Sequence, residues 1–292
     1  MPLTFDFSPA AVAQLAHDDV TRALAEDVGA GDLTASLIPA DRATHARVLA
    51  RESAVVCGSA WVQAAVLRLD PAAEITWHVQ DGQRCAENQV VLEVHGSARA
   101  LLTAERTALN FLQLLSGVAT KTAQYVDAVQ GTHAQIVDTR KTLPGLRLAQ
   151  KYAVLCGGGT NHRVGLYDAV LIKENHIAAA GGIPQVMVQA AHLTAQADFV
   201  EIEVETLAQL REALDCGAKM VLLDNMDLPT LHAAVRMNQA DGAKRAILEI
   251  SGGVTLDGLR ALAETGVDRI SIGTLTKDVR ATDYSMRFDH RV

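Results

Sequence analysis

The sequence lacks several features that mark common classes of protein. No apolar run reaches the roughly 18–20 residues that a membrane-spanning helix needs. The four cysteines form no C-x-x-C pair and have no zinc-finger spacing to histidines, so we expect reduced thiols. No G-x-G-x-x-G turn is present, which disfavours a doubly wound nucleotide-binding fold. The first residues, MPLTFDFSPA, have no cationic segment and no long apolar segment, so we expect no secretory signal and a cytoplasmic location.

What the sequence does contain suits one large or two ordinary globular domains. The chain has 292 residues, of which 49% are hydrophobic and 21% are charged. Its formal charge is -8, yet residues 139–176 contain six Lys or Arg residues and only two acids. A local cationic stretch in an acidic chain indicates a small anionic ligand more than nucleic acid. The alternative is a solvated basic face beside a flexible loop at Gly157, Gly158 and Gly159.

The first part of the chain mixes helices and strands without a regular period. Ser8, Pro9 and Gly29 have the residue types that start and stop a helix. Strand-like runs follow at residues 45–57, 75–80 and 90–96, with a helical run at residues 58–69. We therefore predict an α+β sandwich domain over residues 1–116.

A long helix is predicted for residues 97–115, with a break at Ser116 and Gly117 and a second helix to about residue 130. Arg106 lies on this helix, and two interpretations stay open from its sequence context. It could face solvent beside Glu105. Alternatively, it could be buried among apolar neighbours, in which case it would need an anionic partner.

From residue 131 onward, apolar β-branched runs alternate with helical runs, which is typical of a parallel sheet covered by helices. The predicted strands are AQIVD (134–138), DAVLI (168–172), FVEIEVE (199–205), MVLLDN (220–225), AILEIS (246–251) and RISIG (269–273). The predicted helices are 145–156, 184–196, 206–216, 227–239 and 256–265. The length available favours a parallel α/β barrel domain over residues 117–275 with fewer than the usual eight strands.

Polar residues or glycines stand at the end of every predicted barrel strand, where barrels place their active sites. The first two strands and their loop contribute cations, the next two contribute carboxylates, and the last two lead into turns rich in serine and glycine, which can bind phosphate at a helix start. Glu201, Glu203 and Glu205 share one side of their strand, so alternation alone does not choose among them. The pattern predicts a ligand with a phosphate, a polyol or metal, and further anionic groups.

Several motifs resemble the quinolinate phosphoribosyltransferase family, and they cover nearly the whole chain. They are DTRKTLPGLRLAQKYAVLCGGGTNHRVGLYDAVLIKENH, ERTALNFLQLLSGVAT, VEIEVE, VLLDNM, EISGGV and SIGTLT. The resemblance implies an α/β sandwich joined by the C-terminal tail (276–292) and a six- or seven-stranded open barrel. It also implies Mg²⁺ as cofactor, and a reaction in which quinolinate and phosphoribosyl pyrophosphate give nicotinate mononucleotide, pyrophosphate and CO₂.

The resemblance also assigns site residues by motif. It places Lys141, Lys173, Glu203 and Asp224 in catalysis, with Glu203 and Asp224 as the ribose and Mg²⁺ ligands. The implied quinolinate pocket consists of Arg106, Arg140, His162, Arg163 and Lys173. The remaining implied substrate contacts are Thr139, Lys141, Ser251, Gly252, Gly253, Ile272, Gly273, Thr274 and Lys277, of which Lys277 is a variable family position. Finally, the family implies a homodimer in which each subunit lends Arg106 to its partner's site.

Two rival functions remain on the sequence. A nicotinate phosphoribosyltransferase would bind a single carboxylate and need fewer cations. A sensor of phosphorylated metabolites would need the phosphate turns but not carboxylates facing a cation cluster.

Overall fold

The computed structural model describes residues 5–240, 242 and 245–289. Its elements up to residue 128 are α1 Pro9–Val28, a 3-10 turn Ala35–Leu37, β1 Ala43–Ala50, β2 Ala54–Val55, α2 Ser59–Leu69, β3 Glu74–Trp77, β4 Arg84–Cys85, β5 Val90–Ser97 and α3 Ala98–Ala128. The later elements are β6 Gln135–Val137, α4 Arg147–Cys156, β7 Val170–Ile172, α5 Glu174–Ala180, α6 Ile183–Ala191, β8 Val200–Val204, α7 Leu207–Asp215, β9 Met220–Asp224, α8 Leu228–Ala240, β10 Ile247–Ser251, α9 Leu256–Glu264, β11 Arg269–Ser271, α10 Thr274–Lys277 and β12 Tyr284–Phe288. No described helix is both long and apolar enough to cross a membrane.

The described residues form two compact units. The antiparallel-sheet unit contains residues 6–123, 142–158 and 275–289, and the parallel-sheet unit contains residue 5, residues 124–141 and the described residues of 159–274. The domain boundaries predicted at residues 116 and 275 stay predictions.

The antiparallel-sheet unit is built on four strands in the order β12-β1-β5-β3, all antiparallel. The strand predicted in the C-terminal tail is confirmed, since β12 pairs with β1 and sets Met286 opposite Val48. Helix α1 begins at Pro9 and ends before Gly29, as the sequence predicts. Its buried apolar residues are spaced four apart, at Val12, Ala16, Val20 and Leu24, so that one stripe of the helix faces the core.

The predicted helix break at Ser116 and Gly117 is wrong, because α3 continues through both residues. The Ser116 hydroxyl accepts the backbone N–H of Cys57 and donates to the Cys57 carbonyl. A Cβ at Gly117 would collide with the carbonyl oxygen of Arg280. Both small residues therefore serve close packing inside the unit, and this outweighs the roughly 1 kcal/mol that glycine costs a helix.

The parallel-sheet unit has six parallel strands in the order β6-β11-β10-β9-β8-β7. Strands β6 and β7 follow each other in the chain but stand at opposite ends of this order. Thr160 makes one parallel bridge to Val137 on the outer side of β6. This arrangement is that of an incomplete α/β barrel, as predicted. The helical turn α5, which directly follows β7, is a feature that the sequence reasoning missed.

Candidate active site

A cavity of about 330 Å³ opens at the carboxyl ends of the parallel strands, within the parallel-sheet unit. Eight predicted site residues line it: Thr139, Arg140, Lys141, His162, Arg163, Lys173, Glu203 and Ser251. Its other lining residues are Leu171, Leu222, Glu249 and Ser271. Parallel strands end at one edge of their sheet, so polar residues as far apart in sequence as Thr139 and Ser271 meet there.

Four cations and two carboxylates face this cavity. Arg140 and Lys141 follow β6, Lys173 follows β7, and Arg163 comes from the loop that precedes β7. Burial and the neighbouring Arg140 guanidinium lower the pKa of Arg163. Two like charges held close together in a partly buried site disfavour each other, and an anion placed between them relieves this repulsion. The geometry therefore supports an anion-binding site.

The three acids of β8 occupy different environments. Glu203 lines the cavity, Glu201 is fully buried, and Glu205 is exposed. Glu203 accepts a hydrogen bond of 2.6 Å from the ammonium of Lys173. The sequence reasoning assigned cations and carboxylates to separate strands, whereas this pair joins the two groups inside the cavity.

A buried ionisable cluster lies beside the cavity and consists of His162, Glu201, Glu249 and Arg269. Nε2 of His162 is 2.8 Å from Oε2 of Glu201 and 3.6 Å from Oε1 of Glu249, and Nε of Arg269 is 3.0 Å from Oε2 of Glu249. Burial raises the pKa of Glu201 to about 7. Burial, together with the charge of Glu201, raises the pKa of Glu249 to about 7.

The sequence reasoning missed Glu249 and Arg269 as part of the site. A charged residue within a short, otherwise apolar strand was the available signal, because a buried charge needs a partner. Glu249 is the acid of AILEIS, and Arg269 is the arginine of RISIG. The two strands are adjacent and parallel, and their register pairs Glu249 with Arg269.

The serine- and glycine-rich turns lie at the same strand ends. Gly252 has a φ of 98°, and a Cβ there would collide with the side-chain oxygen of Asn225. A Cβ at Gly273 would stand 3.0 Å from Cδ of Lys141 and 3.6 Å from the Thr139 hydroxyl. The buried hydroxyl oxygen of Thr274 has no hydrogen-bond partner among the described residues. An acceptor brought by a ligand would satisfy it.

Asp224, Gly253 and Ile272 flank the cavity rather than line it. Asp224 is the last residue of β9 and stands opposite Ser251 in the register of the sheet. Ile272 is buried and directly follows β11. Gly253 follows β10 with a φ of 54°.

Arg106 and Lys277 belong to the antiparallel-sheet unit. Arg106 is exposed on α3, so the open alternative that it is buried within its own chain is wrong. Its helical neighbours Leu102 and Asn110 are exposed as well, which makes this stripe the outer side of α3.

Two carboxylates near the cavity suit Mg²⁺. Glu203 and Asp224 offer oxygen ligands, and Mg²⁺ usually takes one or two carboxylates together with water and substrate phosphates. Because Glu203 is already paired with Lys173, these two residues fit an ion that arrives with a phosphorylated substrate better than a permanent cage of protein ligands. A separate group, Cys57, Asp81 and Cys156, brings its potential ligand atoms within 4.8 Å of one another in the antiparallel-sheet unit. Burial raises the pKa of Cys57, so its thiol stays protonated.

Two family models match the chain. The model of the quinolinate phosphoribosyl transferase N-terminal domain matches residues 32–116, and that of the C-terminal domain matches residues 118–287. The chain belongs to the quinolinate phosphoribosyltransferase family.

Individual members of the quinolinate phosphoribosyltransferase family are similar to the chain over nearly its whole length. It is 42% identical over 278 residues to the nicotinate-nucleotide pyrophosphorylase (carboxylating) of Mycobacterium leprae, covering 93% of this chain and 96% of that protein. It is 41% identical over 261 residues to the probable enzyme of the same name from Bacillus subtilis, covering 89% of each. The structure of the Francisella tularensis nicotinate-nucleotide pyrophosphorylase superposes with a TM-score of 0.92 at 40% identity, covering 99% of both chains.

Proposed function

We propose that the protein transfers the phosphoribosyl group of phosphoribosyl pyrophosphate to quinolinate in NAD biosynthesis. The products are nicotinate mononucleotide, pyrophosphate and CO₂. The observation that carries this proposal is the cavity itself, where four cations surround a space bordered by two leucines in a chain of this family. A pyridine ring with two adjacent carboxylates needs both an apolar wall and paired donors. We also propose a cytoplasmic location.

In this proposal, Arg140, Arg163 and Lys173 bind the two carboxylates of quinolinate. Guanidinium groups present paired N–H donors that match a planar carboxylate. The side chains of Leu171 and Leu222 offer an apolar wall to the pyridine ring. Two carboxylates balance the charge of these three cations more nearly than one carboxylate does, which favours the dicarboxylate over nicotinate.

Phosphoribosyl pyrophosphate would bind along the remaining strand ends. The turns after β10 and β11 supply backbone N–H groups for its 5′-phosphate, and the Thr274 hydroxyl adds a donor. Lys141, which passes over Gly273, would meet the pyrophosphate. Lys277 stays a predicted contact to the same group.

Glu203 and Asp224 would hold the ribose hydroxyls and Mg²⁺. When bound, Mg²⁺ supplies positive charge that stabilises the pyrophosphate as a leaving group. The two carboxylates also stabilise the positive charge that develops on the ribose ring as the bond to pyrophosphate breaks. Their attraction weakens with distance, so their role depends on being fixed at the strand ends.

The residues then position the reactants for two successive bond changes. The pyridine nitrogen forms a bond to C1 of the ribose as the bond from C1 to pyrophosphate breaks. The carboxylate next to the nitrogen then leaves as CO₂, and its electron pair remains on the ring carbon, where the pyridinium and a neighbouring cation stabilise it until it takes a proton. No covalent nucleophile is required, so positioning accounts for most of the catalysis.

We further propose a homodimer in which Arg106 completes the partner's cavity. The segment before β1 exposes Leu33 by 88% and Leu37 by 80%. Hydrogen bonds hold this segment against α3, since the carboxylate of Asp32 accepts the hydroxyl of Thr103 and two backbone N–H groups. Fixed leucines exposed in the same unit as Arg106 are typical of a surface that a partner covers.

A substrate comparison tests the proposed function. Protein, Mg²⁺ and phosphoribosyl pyrophosphate are incubated with quinolinate or with nicotinate, and nucleotide and CO₂ are measured. We expect turnover and CO₂ release with quinolinate, and the exposed control variant Arg236→Ala should behave as wild type. Nucleotide from nicotinate but not from quinolinate would overturn the proposal.

A further inference from the structure

Side chains hold the loop that carries Arg163 by accepting hydrogen bonds from four consecutive backbone amides. The backbone N–H groups of residues 162–165 all donate to side chains. Asp138 accepts the first at 2.8 Å, His162 Nδ1 accepts the second at 2.8 Å, and Asp168 accepts the third and fourth at 2.6 and 2.8 Å. All three acceptor side chains are buried. Four such bonds in succession fix the backbone from which Arg163 reaches the cavity.

The bond between Arg163 and His162 determines the state of the imidazole. An amide N–H can only donate, so Nδ1 of His162 must accept and therefore bears no proton. The ring proton is then on Nε2, which lies 2.8 Å from Oε2 of the buried Glu201. An imidazolium would direct a second N–H against the amide of Arg163. The geometry thus requires a neutral ring protonated at Nε2.

Both nitrogens of His162 are consequently engaged by the protein. The ring also packs edge-on against Phe199, with centroids 5.2 Å apart. His162 lines the cavity, yet each of its nitrogens already has a partner inside the protein. By contrast, the Arg163 guanidinium donates a hydrogen bond to the carbonyl of Ala169 at 3.2 Å and has further N–H groups to offer a ligand.

We propose that His162 is a positioning residue: Glu201 fixes its tautomer, and its Nδ1 holds the amide of Arg163, which in turn meets the substrate. This inference rests on the proposed function, since Arg163 is taken to bind a quinolinate carboxylate. The proposal implies that the imidazole of His162 donates no hydrogen bond to quinolinate. Glu249 and Arg269 complete the buried cluster, since Glu249 lies 3.6 Å from Nε2 of His162 and 3.0 Å from Nε of Arg269.

Two substitutions of His162 separate positioning from direct contact. The amide oxygen of His162→Asn lies at the distance of Nδ1 from the backbone and can still accept the Arg163 amide. The amide of His162→Gln reaches the Nε2 position instead. If His162 positions Arg163, His162→Asn should keep its quinolinate KM within about threefold, whereas His162→Gln should raise it by about 10-fold or more with a smaller change for phosphoribosyl pyrophosphate. The opposite order, or equal losses, would overturn the proposal.

A spectroscopic measurement on wild-type protein keeps the proposal testable if a variant folds poorly. Ring-¹⁵N-labelled histidine distinguishes the two neutral tautomers and the imidazolium by NMR, and the His162 signals are those missing in His162→Asn. We expect the neutral form protonated at Nε2, both in the free protein and with quinolinate bound. An imidazolium, a ring protonated at Nδ1, or a change of state on adding quinolinate would refute the positioning role. Because the free protein is read as well, failure of the proposed reaction would be recognised separately from failure of this inference.

Discussion

Removing the Arg163 side chain should weaken quinolinate binding far more than phosphoribosyl pyrophosphate binding. Arg163 is half-buried, and the charge of the neighbouring Arg140 acts on its guanidinium. A hydrogen bond to a charged group in such a site contributes about 1.5–3 kcal/mol. Arg163→Ala should therefore raise the Kd for quinolinate by about 10- to 100-fold.

Calorimetric titration with each substrate measures this effect. Arg163→Lys retains the charge but loses the paired donors, so its Kd for quinolinate should lie between those of Arg163→Ala and the wild type. The matched control is Arg236→Ala, which removes an exposed arginine from α8 and should leave both Kd values unchanged. Equal losses for both substrates in Arg163→Ala would refute the assignment of Arg163 to quinolinate.

Three further experiments test separate parts of the account. Asp224→Asn should keep its circular dichroism spectrum but lower kcat by about 100-fold or more, because the ribose and Mg²⁺ would lose a carboxylate; normal turnover at low Mg²⁺ would contradict this. Arg106→Ala and Lys141→Ala homodimers should each be nearly inactive. Dissociating, mixing and re-associating the two variants should restore roughly a quarter of wild-type activity, since about half the dimers are mixed and each mixed dimer has one intact site. No recovery, despite subunit exchange confirmed by native mass spectrometry, would place Arg106 in its own subunit's site. Burial raises the pKa of Glu249 from 4.5 to about 7, so the folded state binds the proton of this carboxyl more tightly than the unfolded chain does. The contribution of Glu249 to the stability of the fold therefore falls as the pH rises from 4.5 to about 7. The fall in Tm between about pH 5 and 8 should therefore be smaller in Glu249→Gln than in the wild type or in the exposed control Glu212→Gln. An identical pH dependence of Tm in the three proteins would argue against a raised pKa of Glu249.

The sequence predicted the barrel well because its signal is local. Six apolar strands and the helices between them follow from periodicity, and the polar residues at the strand ends follow from the rule that parallel strands end at one edge. Eight residues predicted from those ends and from the family motifs do line one cavity. The substrate-binding and catalytic roles of the individual residues stay predictions.

The features that the sequence could not predict depend on contacts between distant segments. Glu201 and Glu203 share one side of β8 and differ in their depth in the barrel. Glu201 is the buried partner of His162, whereas Glu203 lines the cavity. The sequence predicts a helix break at Gly117, because it does not show that the carbonyl of Arg280 packs against this residue and leaves no room for a Cβ. The Lys173–Glu203 pair likewise requires knowing that β7 and β8 are adjacent.

The central claim is that the cavity at the strand ends binds quinolinate through its cations. A crystal structure of the protein with quinolinate tests this most directly. We predict both carboxylates within hydrogen-bond distance of Arg140, Arg163 or Lys173, with the pyridine ring against Leu171 and Leu222 and its nitrogen directed toward Glu203 and Asp224. Quinolinate bound outside this cavity, or inside it with its carboxylates turned away from the three cations, would contradict the account.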